Sequence, residues 1–194
     1  PNPFKLKDMN KSINRTIKNI INKNKIGIIA DYDVDGSTSA ALLHNFLSFF
    51  KCSISLKIPD RLNEGYGPNK RIMDEFAEEK INLVFSLDCG TTSFEILDHP
   101  NYKEIDVIII DHHISENKLP NIYSIINPNR FDENSNLKDL AAVGVTFLFI
   151  MGLRKILREN NYFDDKKDEP NLLGNLDLVA LGTICDVVNL SDYN

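Results

Sequence analysis

The chain has 194 residues, 42% of them hydrophobic, and 28 acidic against 22 basic side chains give a net charge of −6. That length suits a single α/β domain around one sizeable core. No apolar run approaches the roughly 20 residues of a membrane span, no charged-then-apolar leader is read at the start, and Cys52, Cys89 and Cys185 form no CxxC pair, so no membrane span, disulfide framework or zinc knuckle is expected.

A cytosolic or organelle-matrix protein with its thiols as small core residues is therefore expected. An acidic chain is a poor nucleic-acid binder on charge alone, unless its acids cluster around metal ions.

Before the first apolar run, Ile13, Ile17, Ile20 and Ile21 recur at helical spacing among Lys, Arg and Asn, which predicts a packing helix over 8–24 with a solvated basic face. KIGIIA, SISLKI, NLVFSL, DVIIID and YSIIN then read as five short buried strands, with helical stretches at 37–50, 69–80 and 92–98 between them. This alternation predicts an α/β fold, a mostly parallel five-stranded sheet flanked by helices. A longer helix is expected over 138–159 with Leu140, Val143, Phe147 and Met151 on one face. DDKKDEPN at 164–171 reads as a polar loop, and LDLVALGTICDVV as a mostly buried helix or helix-turn.

Ligands of such sheets sit at the carboxyl ends of the strands, and acids recur there. Asp31, Asp33 and Asp35 follow the first strand in DYDVDG, where Gly36 permits a tight turn into a helix. Taken alone, this stretch also reads as a solvated acidic turn in which one Asp caps the helix. An EF-hand is excluded, because no acid stands at the twelfth loop position. Asp88 ends the third strand in SLDCGTT, and Asp111, His112 and His113 end the fourth. Asp186 lies in an apolar run where an unpaired carboxylate is costly to bury. Carboxylates with imidazole suit manganese or magnesium better than zinc.

DYDVDG, LDCG, DHH and LVALGTICDVV resemble the four signature motifs of the DHH phosphoesterase superfamily, over nearly the whole chain. Within it the sequence is similar to the RecJ-type single-strand-specific exonucleases, on PFKLKDMNKSINRTIKNI, PDRLNEGYGPN at 59–69 and LAAVGVTFLF at 140–149. The resemblance implies two Mn2+ ions, with Mg2+ as the alternative, held by Asp33, Asp35, Asp88, His112 and Asp186, Asp88 bridging both. Asp31 joins the first ion or stands just behind it. His113 is implied to face the scissile phosphate as an electrostatic stabiliser or proton donor, and Asp111 to orient the neighbouring imidazole or simply to form the turn.

In PDRLNEGYGPN, Arg61 is expected to meet a phosphate and Tyr66 to stack on a base or sugar; an ordinary glycine-rich turn is the alternative. The implied activity is hydrolysis of single-stranded DNA from its 5′ end to nucleoside 5′-monophosphates, in repair or recombination. Other readings within the superfamily are a nanoRNase, an inorganic pyrophosphatase or an inactive nucleic-acid-binding relative. Residues 1–194 are expected to be the catalytic lobe of a longer protein, with an N-terminal helix at 8–24 and a core at 25–194, lacking the glycine-rich, histidine-containing segment of a second lobe. Two departures from the family pattern stand out: Ile29-Ala30 where His-Gly or Tyr-Gly is common, and Asn189 in place of a proline.

Overall fold

The computed structural model describes residues 1–163, 168–191 and 193–194. Each of the five apolar runs forms a strand: β1 (Ile26–Ala30), β2 (Ile54–Lys57), β3 (Leu83–Leu87), β4 (Asp106–Ile110) and β5 (Ser124–Ile126). They pair in the order β2-β1-β3-β4-β5, and every pairing is parallel. Leu56, Ile28, Phe85 and Ile108 stand in one row across the first four strands.

Side chains of a strand alternate between faces, so the unbroken apolar runs feed two cores. Ile28, Ala30, Phe85, Leu87, Ile108 and Ile110 face the larger one, closed by helices α1 (Met9–Asn22), α2 (Val34–Phe49) and α5 (Ala142–Glu159). Ile29, Val84, Val107 and Ile109 face the smaller one, closed by α3 (Lys70–Glu78) and the single-turn α4 (Phe94–Leu97). The last helix, α6 (Leu176–Cys185), lies outside the sheet against α2 and α5.

Several expectations shift. On α1, Ile13 and Ile20 are buried, Ile17 half-buried and Ile21 exposed, because Ser12, Thr16 and Asn19 complete the inward stripe. Ser12 and Thr16 keep their hydroxyls satisfied there, Ser12 on Ser124 Oγ at 2.7 Å and Thr16 on the Ser12 carbonyl at 2.8 Å. The basic face is partly spent within the protein, since Arg15 pairs with Asp106. The helix expected at 92–98 shrinks to one turn. The one expected at 138–159 starts at Ala142, leaving Leu140 in the preceding turn, and Phe147 and Met151 are only half-buried. The helix is enclosed instead by α1 and α2 around Val145, Phe149, Ile150 and Leu153.

α6 is not mostly buried. Only Gly182 and Thr183 are covered, while Leu176, Leu181 and Ile184 are exposed. The helix is apolar on every side, so its sequence does not mark which side packs. Of the expected polar loop, residues 164–167 lie outside the described residues, and 168–171 are irregular. All three thiols are free, but only Cys89 is a core residue; Cys52 is half-buried and Cys185 exposed. Among the described residues, no helix is long and apolar enough to cross a membrane.

Candidate metal centre

Parallel strands end side by side, so the turns after β1, β3 and β4 share one crevice. Asp31 follows β1 directly. Asp33 caps α2, its Oδ1 accepting from the Gly36 N–H at 2.9 Å. The helix begins at Val34, earlier than expected, and this brings Asp35 into its first turn. Gly36 is helical rather than a turn residue. Its glycine is required by close approach, since a Cβ there would stand 2.5 Å from the Asp31 carbonyl oxygen. Asp88 leaves β3 with a positive φ of 59°, a conformation that short acidic side chains tolerate.

The expected acids and imidazoles converge. Metal-ligating atoms of Asp31, Asp33 and Asp88 lie within 4.8 Å of one another, and so do those of Asp35, His112 and Asp186. A third group, Asp88, His112 and His113, joins the two. His112 Nε2 stands 3.4 Å from Asp88 Oδ1, 3.5 Å from Asp186 Oδ2 and 3.8 Å from Asp35 Oδ2. Asp31, Asp35 and Asp88 are buried, whereas Asp33 is exposed and Asp186 half-buried.

Burial leaves these charges poorly solvated. It pushes the Asp88 carboxyl up to about 10, with Asp35, Asp111 and Asp33 adding repulsion. Burial pushes Asp35 up to about 6, even though the Val143 and Ala142 N–H groups donate to it at 2.8 and 2.6 Å. Asp31 and Asp186 are raised by the same cause. Asp31 Oδ1, Asp88 Oδ1 and His112 Nε2 are buried without a hydrogen-bond partner. Orphaned carboxylate and imidazole atoms facing one another are a costly arrangement that a divalent cation resolves. The donor set of oxygens with one or two imidazole nitrogens fits manganese or magnesium.

Asp111 is buried and belongs to none of the three ligand groups. Burial alone would raise its carboxyl; the His113 hydrogen bond and charge, with Thr91, hold it below the usual range. It accepts from His113 Nδ1 at 2.7 Å and from Thr91 Oγ1 at 2.5 Å. That hydrogen bond in turn raises the His113 imidazole. The imidazole that hydrogen-bonds Asp111 is therefore His113.

Arg61 and Tyr66 sit on the rim. The Tyr66 hydroxyl donates to the Asp88 carbonyl at 2.6 Å, and its ring meets His113 edge-on at 5.9 Å. Burial raises the Tyr66 phenol, so it stays protonated. Arg61 lies 5.1 Å over the Tyr32 ring. Of the two departures, Ile29 and Ala30 are fully buried strand residues, and Asn189 reaches Asp139.

Three contributors escape a reading of motifs. The N–H groups of Ala142 and Val143 open α5 and hold both oxygens of Asp35, where the positive end of the helix dipole favours a carboxylate. Thr91 anchors Asp111. Gly182 lets α6 close on α2 and α5, one helical turn before Asp186. The Gly-Thr pair ahead of Asp186 was the available signal for that close contact.

A parallel sheet with a carboxylate and imidazole cluster across three strand ends is an arrangement that could hold divalent metal ions. The model of the DHH family, N-terminal domain, matches residues 25–183, and the chain belongs to that family. It is similar to the single-stranded-DNA-specific exonuclease RecJ of Escherichia coli, 39% identical over 172 residues covering 88% of this chain and 30% of that protein. RecJ of Bacillus subtilis is 34% identical over 192 residues, covering 99% of this chain and 23% of that protein. The chain thus spans about a third or less of these relatives. Among solved structures, exonuclease RecJ bound to manganese superimposes with a TM-score of 0.78 at 29% identity, covering 94% of this chain and 44% of that one.

Proposed function

We propose that this chain is the catalytic lobe of a metal-dependent exonuclease that hydrolyses single-stranded DNA from the 5′ end, releasing nucleoside 5′-monophosphates in DNA repair or recombination. The observation that carries this reading is the buried cluster around Asp88, with its unpartnered carboxylate and imidazole atoms. The RecJ relatives supply the substrate class. In this reading two Mn2+ ions, or Mg2+ in their place, would be held by Asp31, Asp33 and Asp88 and by Asp35, His112 and Asp186, with Asp88 able to serve both.

Ions bound there supply Lewis acidity, activating water and neutralising charge on the phosphoryl oxygens. The chain's own groups do the rest. Ionised Asp111 can only accept, so His113 must donate through Nδ1, which leaves Nε2 for the substrate. The raised imidazole favours its cationic form, suited to stabilise developing negative charge or to hand a proton to the leaving oxygen. Arg61 meets a backbone phosphate, and the exposed part of the Tyr66 ring stacks on a base or sugar.

The test is nucleotide release with manganese from a 5′-labelled single strand, a blunt duplex, a short oligoribonucleotide and pyrophosphate. Mononucleotides from the DNA single strand, far ahead of the other three, are expected. Phosphate from pyrophosphate alone, or binding without products, contradicts the proposal.

A further inference from the structure

We infer that Asn127 and Asn129, just beyond β5, are positioning residues that hold the two histidines of the centre separately, Asn129 setting His112 and Asn127 setting His113. The chain leaves the sheet after Ile110, so the carbonyls of His112 and His113 have no ladder partners and need others. Asn129 Nδ2 donates to the His112 carbonyl at 2.7 Å and to the Lys138 carbonyl at 3.0 Å. Asn127 Nδ2 donates to the His113 carbonyl at 2.9 Å and to Thr91 Oγ1 at 3.0 Å.

The orientations follow from chemistry. A carbonyl accepts only, so the Asn127 amide must turn its Nδ2 toward His113, and Oδ1 is then free to accept the Asn129 N–H at 2.7 Å. Thr91 accepts from Asn127 and therefore sends its proton to Asp111 Oδ2. Asp111 Oδ1 accepts from the His113 imidazole. The circuit Asn127, Thr91, Asp111, His113 closes on itself, and Asn127 at its base is fully buried. Both the backbone and the ring of His113 are thereby fixed from one residue. His112 is fixed through the other asparagine, with Pro128 stiffening the link between them.

The roles assigned to the histidines rest on the proposed function, so the test pairs activity with two readouts independent of it: calorimetric titration with Mn2+ and 15N resonances of the histidine rings. Asn129→Ala is expected to weaken Mn2+ binding roughly 10–100-fold, the usual effect of freeing a ligand's support. Asn127→Asp, which keeps Oδ1 but loses both donors, is expected to leave Mn2+ affinity near the wild-type value. It should lower kcat on single-stranded DNA by about 10-fold or more at unchanged KM.

A buried carboxylate at 127 risks misfolding, so Thr91→Val provides a second break in the same circuit. It should shift the His113 Nδ1 resonance and lower kcat, and Thr91→Ser, which keeps the hydroxyl, should recover both. Equal losses of Mn2+ affinity and kcat in the two asparagine variants, tracking their loss of Tm, would overturn the inference. So would a His113 resonance unmoved by Thr91→Val. If the wild-type protein cleaves no DNA, the functional reading fails, and the calorimetric and NMR comparisons still decide this one.

Discussion

Asp88 Oδ1 lies 3.4 Å from His112 Nε2, yet neither atom takes part in a hydrogen bond. Both are buried, and Asp88 also faces Asp31 and Asp33 within one ligand group. The protein thus keeps unpaired polar atoms where burial penalises them most, an arrangement that a cation completing the site would relieve.

Asp88→Asn is the sharpest single change. Asn keeps the size and tolerates the positive φ at this position, but removes the charge shared by the ligand groups. Mn2+ binding should be lost or fall by at least about 100-fold, while the metal-free protein gains stability because a neutral amide is buried without the proton uptake that Asp88 requires, with a Tm rise of about 2–8 °C. Calorimetry and thermal melts in chelator check both halves; undiminished Mn2+ affinity would remove Asp88 from the centre.

Stability should fall with rising pH in the metal-free protein and stay nearly level in saturating Mn2+. Unfolded, Asp35 and Asp88 ionise near 3.8; folded, burial holds their protons to about 6 and about 10. Below 3.8 both states are protonated and the contribution is complete. As pH rises, the unfolded chain releases protons that the folded one retains, so metal-free stability falls until each folded group ionises. Mn2+ must displace those protons, so its affinity rises over the same range. Melts from pH 5 to 9 in chelator and in Mn2+ should diverge, and parallel curves would contradict the coupling.

Gly182 tests how α6 delivers Asp186. A Cβ at this position would stand 2.4 Å from Thr38 Oγ1, 2.7 Å from Val143 Cγ1 and 3.2 Å from Asp35 Oδ1. Gly182→Ala must push α6 away, at a cost of about 1–3 kcal/mol. Mn2+ stoichiometry is expected to drop from two to one, because the Asp35, His112 and Asp186 group opens. Two ions retained at wild-type affinity would show that α6 docks by other contacts.

Tyr66 separates stacking from anchoring. Tyr66→Ala should weaken binding of a single-stranded oligonucleotide by roughly 1–3 kcal/mol. Tyr66→Phe keeps the ring and should bind nearly as the wild type, while losing the hydroxyl bond to the Asp88 carbonyl. Fluorescence anisotropy without catalytic metal measures both; unchanged affinity in Tyr66→Ala would leave the residue as part of the turn.

Much of this was legible because strands buried on both faces write themselves as unbroken apolar runs, as IGIIA and LVFSL do, and a parallel sheet stacks their ends. Asp31, Asp88 and Asp111 could thus be placed in one crevice from order alone. What stayed hidden depends on partners distant in sequence. Nothing near Asp35 shows that α5, more than a hundred residues on, begins against it. The exposure of Leu181 and Ile184 was equally unreadable, since a helix apolar all round does not declare its packed edge. The single turn of α4 carries too few residues for a period to be seen.

Whether Asp88 joins two cation sites is decided by anomalous diffraction at the manganese edge from Mn2+-soaked crystals. Two peaks are predicted, one among Asp31, Asp33 and Asp88 and the other among Asp35, His112 and Asp186, with an Asp88 oxygen in contact with each. No peak in the crevice, or one confined to surface carboxylates, would contradict the account.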